Sequence, residues 1–194
     1  MKLAYVTGAA PGKWVQRFND RTDHPRLEAT ESRDPLAELL EHSVDCALVR
    51  LPESRLNDEF HRVVLYDEAP GVCVPKESEL TLLDELGPAD IEGEIINYQP
   101  PSSGEVDVTA VVNAVGVVAA NVGVVLAPRP LLRALSAKAT ANREFRGDWA
   151  TSMALVWWLD EDRDEIQDFV GITKGRTANS SRQVSVKKRG RRRR

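Results

Sequence analysis

The chain has few residues that could carry chemistry and no long apolar run. Among its 194 residues are two cysteines and three histidines. Cys46 and Cys73 each fall inside a short apolar run that reads as a buried strand. Core packing is therefore their expected role. A disulfide framework is not expected, and a reducing cytoplasm is the simplest setting. His24, His42 and His61 fall in separate loops or helix ends without paired ligand spacing, and the serines have no evident histidine partner. No Walker loop, G-x-S-x-G or H-E-x-x-H occurs. These gaps point away from an enzyme and leave no metal or cofactor to expect. A membrane span needs about 18 consecutive apolar residues. The longest candidate, Val108 to Ala127, is broken by Asn113, Gly116, Asn121 and Gly123. Residues 1–7 lack the apolar centre of a signal peptide and read as a strand. No membrane partner is expected.

Acidic residues also stop early: the last is Asp168. From Lys174 to Arg194 there are ten Lys or Arg and no Asp or Glu. The chain carries −4 overall, so its first 173 residues, with 16 basic and 30 acidic side chains, carry −14. An acidic body is the wrong sign for DNA, whereas a basic tail suits a polyanion. Low hydrophobicity and high charge make disorder the expectation for residues 173–194.

The body reads as alternating strands and helices. Lys2–Thr7 is a first strand, and Gly8-Ala9-Ala10-Pro11-Gly12 a turn that leaves room for backbone to approach a ligand. Lys13–Thr22 follows as a helix and Arg26–Thr30 as a second strand. Asp34-Pro35 starts the next helix, with Asp as N-cap and Pro at the first helical position. The third strand, Val44–Leu51, is short, apolar and closed by Pro52. It places Arg50 at its carboxyl end, where open α/β sheets bind ligands. This β-α-β-α-β order implies a parallel sheet with right-handed crossovers.

Further strands are expected at Arg62–Tyr66, Gly71–Val74, Glu94–Tyr98, Gly123–Ala127 and Ala150–Leu159. Helices are expected at Leu80–Leu86, Val106–Val122, Pro128–Leu135 and Glu161–Val170. The valines of 106–122 would also suit a strand, but the length favours helix. In Trp157-Trp158, one ring is expected in the core and the other partly exposed.

Four pieces in this order resemble a known family: Asp45-Cys46-Ala47-Leu48-Val49-Arg50, Leu65-Tyr66-Asp67-Glu68, Val72-Cys73-Val74-Pro75-Lys76, and Asn113 through Arg129. With the Gly/Pro turn after the first strand, they resemble the effector-binding domain of LysR-type transcriptional regulators over residues 1–172. The resemblance implies a two-lobed α/β fold of the periplasmic-binding-protein type (type II), with a ligand cleft between lobes. Lobe I would comprise about 1–75 and 150–172 and lobe II about 93–148. The chain would cross near Glu77–Ile91 and near Gly147–Thr151. Two departures stand out. The chain starts at strand one, without the family's winged helix-turn-helix and linker helix, so a stand-alone domain is expected. Only Gln99–Asp107 fill a segment where the family has a further helix and strand, so lobe II should be abbreviated.

By position, the resemblance puts effector contacts at Thr7, Gly8, Ala9 and Ala10, at Arg50 and Leu51, and at Tyr98 and Gln99. Helix N-termini favour anions, and Arg50 could clamp a carboxylate. The blander reading pairs Arg50 with a local acid such as Asp45 or Glu53 and makes Gly8–Gly12 only a turn. The partner expected is a small polar or anionic effector, and the resemblance implies a homodimer. The function implied is non-enzymatic effector binding in transcriptional control. The alternative is nucleic-acid association through the tail on a degenerate sensor scaffold. Its contacts would be Lys174, Arg176, Arg182, Lys187, Lys188, Arg189, Arg191, Arg192, Arg193 and Arg194, which would neutralise phosphates without reading sequence. A solubilising tail, or one folded back on the acidic body, accounts for the same residues.

Overall fold

A computed structural model describes residues 1–175. The tail contacts named above, from Arg176 onward, lie outside the described residues.

The first sheet holds β1 (Lys2–Val6), β2 (Glu28–Ser32), β3 (Cys46–Leu51), β4 (Phe60–Glu68) and β10 (Thr151–Trp158), in the order β2-β1-β3-β10-β4. β1 is parallel to β2 and β3, as the β-α-β-α-β reading requires, and β10 is antiparallel to β3 and β4. Two helices make the crossovers. In α1 (Gly12–Arg21), Phe18 is fully buried. Asn19 bonds both backbone groups of Leu27, which fixes the approach to β2. α2 (Pro35–Leu40) starts as expected: the Asp34 carboxylate accepts from the Ala37 N–H at 3.1 Å.

The second sheet holds β5 (Pro70–Pro75), β6 (Glu85–Leu86), β7 (Ile96–Tyr98), β8 (Val124–Pro128) and β9 (Thr140–Phe145), in the order β6-β9-β5-β8-β7. This is the mixed two-sheet, two-lobed architecture the resemblance implies, with one boundary to correct. β5 was expected in lobe I but pairs only with β8 and β9. The chain therefore changes sheet at Ala69, between β4 and β5, rather than within 77–91. A second correction concerns Leu80–Leu86. A 3-10 turn spans Glu79–Leu82, and Glu85–Leu86 joins the sheet beside β9. Strand β9 was not anticipated. Its sequence, TANREF, is mostly polar, and pairing with β5 makes it a strand rather than its own propensity.

Residues 108–119 settle as helix: α3 (Val108–Ala119) buries Val111, Val115 and Val118 and is capped by Asp107. α4 (Arg129–Ala134) and α5 (Asp164–Thr173) complete the fold. One core cluster joins the lobes, since Leu3, Val6 and Leu48 of the first sheet belong with Val111, Val115 and Leu131 of lobe II. A fully buried side chain such as Leu131 contributes about 1.5–3 kcal/mol. Trp157 is buried and Trp158 only partly so. Among the described residues, no helix is long and apolar enough to cross a membrane.

Candidate ligand cleft

β3 delivers Arg50 to the carboxyl end of the first sheet, where its side chain is buried. Its partner is neither Asp45 nor Glu53 but Glu68, the last residue of β4. Arg50 Nε donates to Glu68 at 2.6 Å, and Nη2 donates to Glu68 at 3.1 Å and to the Thr7 carbonyl at 3.2 Å. Thr151, the first residue of β10, donates its hydroxyl to Glu68 at 2.9 Å. This bidentate pair is the strong form of arginine–carboxylate contact. Asp45 instead accepts from the Lys2 N–H and pairs with Arg163. Glu53 pairs with Arg55. One Arg50 nitrogen, Nη1, is buried with no hydrogen-bond partner among the described residues. A buried donor of this kind costs about 1–3 kcal/mol if left unmade.

Arg50 lines a cavity of about 440 Å³ that brings lobe I residues against the chain entering α3. Arg33, Asp34 and Arg55 stand on one side, and Ser103, Asp107 and Thr109 on the other. Asp34 and Arg55 are bonded to each other at 2.8 and 2.9 Å. The Arg55 hydrogen bonds hold the Asp34 carboxyl below its ordinary range, against the opposing effect of partial burial. Arg33 is exposed and forms no ion pair among the described residues. Arg33 and the first turn of α3 are the donors that line the cavity, and Arg50 Nη1 is buried without a partner among the described residues. The carboxylates of Glu105 and Asp107, which form no ion pair among the described residues, line the same cavity. Its wall therefore mixes both signs, with the donors at Arg33 and the first turn of α3 as the places an anionic group would meet.

The other expected contacts scatter. Gly8 has φ +94°, and a Cβ there would lie 2.8 Å from Leu131 Cα. The space this glycine leaves is thus filled by α4 of lobe II. Ala9 and Ala10 belong to the same turn, with the Ala9 N–H bonded to the Val6 carbonyl. Thr7 contributes its carbonyl to Arg50. Leu51 lines a separate depression beside Ser152. The Tyr98 hydroxyl accepts from the Asp107 N–H at 3.1 Å, tying the short connection to the start of α3. Burial pushes the Tyr98 phenol up. Gln99 lines a groove on lobe II. Glu68 and Thr151 were missed as site residues. An arginine that ends a buried strand must have a buried acceptor, and Glu68 is the acid that closes the next strand.

The histidines lie apart from the cleft: His24 on Asp168, His42 on Glu161 and His61 near Asp162. Among the described residues, no group of three His, Cys, Asp or Glu is arranged to hold a metal.

No protein-family model matches the sequence, and no curated protein matches it significantly. Solved structures do. The BenM effector-binding domain with its effector benzoate superposes with a TM-score of 0.67 at 17% identity, covering 90% of this chain and 90% of that one. A reduced form of OxyR from N. meningitidis gives 0.63 at 17%, covering 90% and 93%. Full-length CbnR complexed with its target DNA gives 0.66 at 12%, covering 90% of this chain but 69% of that one. Against full-length BenM, the chain spans 65% of the partner's length. The fold is therefore that of LysR-type effector-binding domains.

Proposed function

We propose that the chain is a non-enzymatic effector-binding module of transcriptional control that takes a small anionic ligand in the cleft beside Arg50. The observation that carries this reading is Arg50 itself. Its Nε and Nη2 are committed to Glu68, while Nη1 is buried without a partner beside a cavity that both lobes line. A ligand carboxylate there would satisfy the orphaned donor, with Arg33 and the first turn of α3 as further donors. The benzoate of the BenM neighbour is an anion of this class. Another neighbour, OxyR from Corynebacterium glutamicum, is described bound to H2O2. Thiol chemistry does not suit this chain, because Cys46 and Cys73 are buried and burial pushes both thiols up.

The fold supports the effector-binding role and supplies no reading of how DNA would be contacted. A homodimer in the cytoplasm completes the reading. Sheet-edge strands β2 and β7 are open to pairing, and sedimentation velocity tests the dimer.

The test is thermal melting of the full chain against small carboxylates, amino acids and aromatic acids. A ligand at about 100 times its dissociation constant adds about 2.7 kcal/mol of apparent stability. Arg33→Ala and Thr109→Val should weaken the hit while leaving the unliganded melting temperature in place. A hit insensitive to both changes would put the ligand elsewhere, and the absence of any hit counts against the reading.

A further inference from the structure

Lobe II carries a second concavity, about 620 Å³, on the sheet face opposite α3. Ile91, Leu126 and Phe145 form its floor, and the partly buried Trp149 forms a wall. Its rim is acidic: Glu92, Glu94 and Asp148 are exposed and form no ion pair among the described residues. No Lys or Arg is among the described residues that line it, and the neighbouring Arg146 is held between Glu85 and Asp90, 3.8 Å from each. An aromatic wall, an apolar floor and unpaired carboxylates together suit arginine. The guanidinium stacks on an indole face, the methylene stem covers apolar surface and the carboxylates accept from the fork.

The chain supplies such a segment. Residues 176–194 hold nine Lys or Arg, ending in four consecutive arginines, and no acid. They leave the described fold beside β4, where Lys174 Nζ donates to the Val64 carbonyl. From Val64, β4 runs to Glu68, which pairs with Thr151, two residues beyond Trp149. At about 3.3 Å per strand residue, this route to the groove is about 25 Å. The sixteen residue steps from Gly175 to Arg191 span at most about 50 Å when extended. The root of the tail and the acidic groove are thus within reach of each other.

We infer that the arginine-rich tail docks in cis on the acidic, Trp149-walled groove of lobe II. In this state the basic segment is held by the protein's own body, and a polyanion must compete for it.

A spin label at Gly190→Cys in the full chain tests this. Cys46 and Cys73 are buried, so the label is confined to position 190. The expected result is broadening of the Trp149 indole N–H resonance at about 0.1 M salt. It should be lost near 1 M, where the Debye length falls from about 10 to about 3 Å. Glu92→Gln/Glu94→Gln/Asp148→Asn should abolish the broadening as well, and these exposed side chains can change without unfolding the body. Docking in cis is overturned by any of three results. The first is an unbroadened Trp149 at low salt. The second is broadening that survives the triple substitution. The third is broadening of isotope-labelled, unspun protein by spin-labelled, isotopically silent protein, which would make the occupant a second copy's tail.

Discussion

Arg50 and Glu68 meet over the start of β10, although they stand on strands that do not pair with each other. β10 lies between β3 and β4, and Thr151, opposite Glu68 in the ladder, adds its hydroxyl to the same carboxylate. Glu68 is the last residue before the chain leaves for lobe II, and Thr151 lies at the point of return. One buried ion pair therefore fastens both crossings between lobes. Arg50 also lines the cavity beside α3, so the residues that tie the crossings together border the proposed cleft.

Removing either member of a buried pair strands the other charge, at a cost of about 3–5 kcal/mol. Glu68→Ala and Arg50→Ala should each lose that much in urea unfolding. Arg50→Met/Glu68→Leu should recover most of the loss, since an apolar pair of similar volume leaves no uncompensated charge. Single variants within about 1 kcal/mol of the parent would mean that the pair is not buried as described. For this reason, loss of ligand binding in Arg50→Ala alone would not identify a contact, and Arg33 and Thr109 are the better probes.

The first sheet was legible because its signals are local. Asp34-Pro35 starts a helix by its own chemistry, and the apolar run before Pro52 has the length of a strand. What escaped depends on distant partners. TANREF is a strand only beside β5, and β5 itself looks the same whichever sheet receives it. The cleft was half legible: Arg50 follows from a strand end, but its partner Glu68 lies 18 positions on, across another strand. Gly8 illustrates the limit, because a turn that frees space does not say what fills it, and here α4 does.

Asp34 makes stability depend on acidity. Its carboxyl is held below the ordinary value of 3.8 by Arg55 and by the Ala37 N–H. A group with a depressed folded pKa stabilises fully above its unfolded pKa, and the contribution fades as pH falls through the folded one. Asp34→Asn keeps an N-cap and removes the charge. The pair is exposed, so the difference should not exceed about 1 kcal/mol. It should be present at pH 7 and shrink as pH falls below the ordinary carboxylate range. Equal unfolding midpoints for variant and parent at pH 7 would show that Arg55 contributes nothing through Asp34.

Neither thiol should react in the native protein. Cys46 is fully buried, and burial, then the charge of Asp45, pushes its thiol up; burial does the same to Cys73. A chromogenic disulfide reagent should release no fast colour from the folded chain and two equivalents in urea. Fast release from the native state would reopen a redox role and weaken the carboxylate reading.

Gly8→Ala should separate turn geometry from ligand contact. At φ +94° an L-residue is strained by about 1–3 kcal/mol. The added Cβ would also press on backbone, since Leu131 N and Pro130 C lie within 2.9 and 3.1 Å of its position. Backbone at the start of a helix cannot swing aside as a side chain can, so α4 must shift away from the turn after β1. Leu131 belongs to the core that joins the lobes, so the shift loosens the inter-lobe packing as well as the turn. The expected outcome is a loss of at least about 2 kcal/mol in unfolding, together with a smaller thermal shift from any ligand that bridges the cleft. If stability falls while the ligand-induced shift stays at its parental size, the lobes are not coupled through Gly8 and Leu131, and the cleft works without that contact.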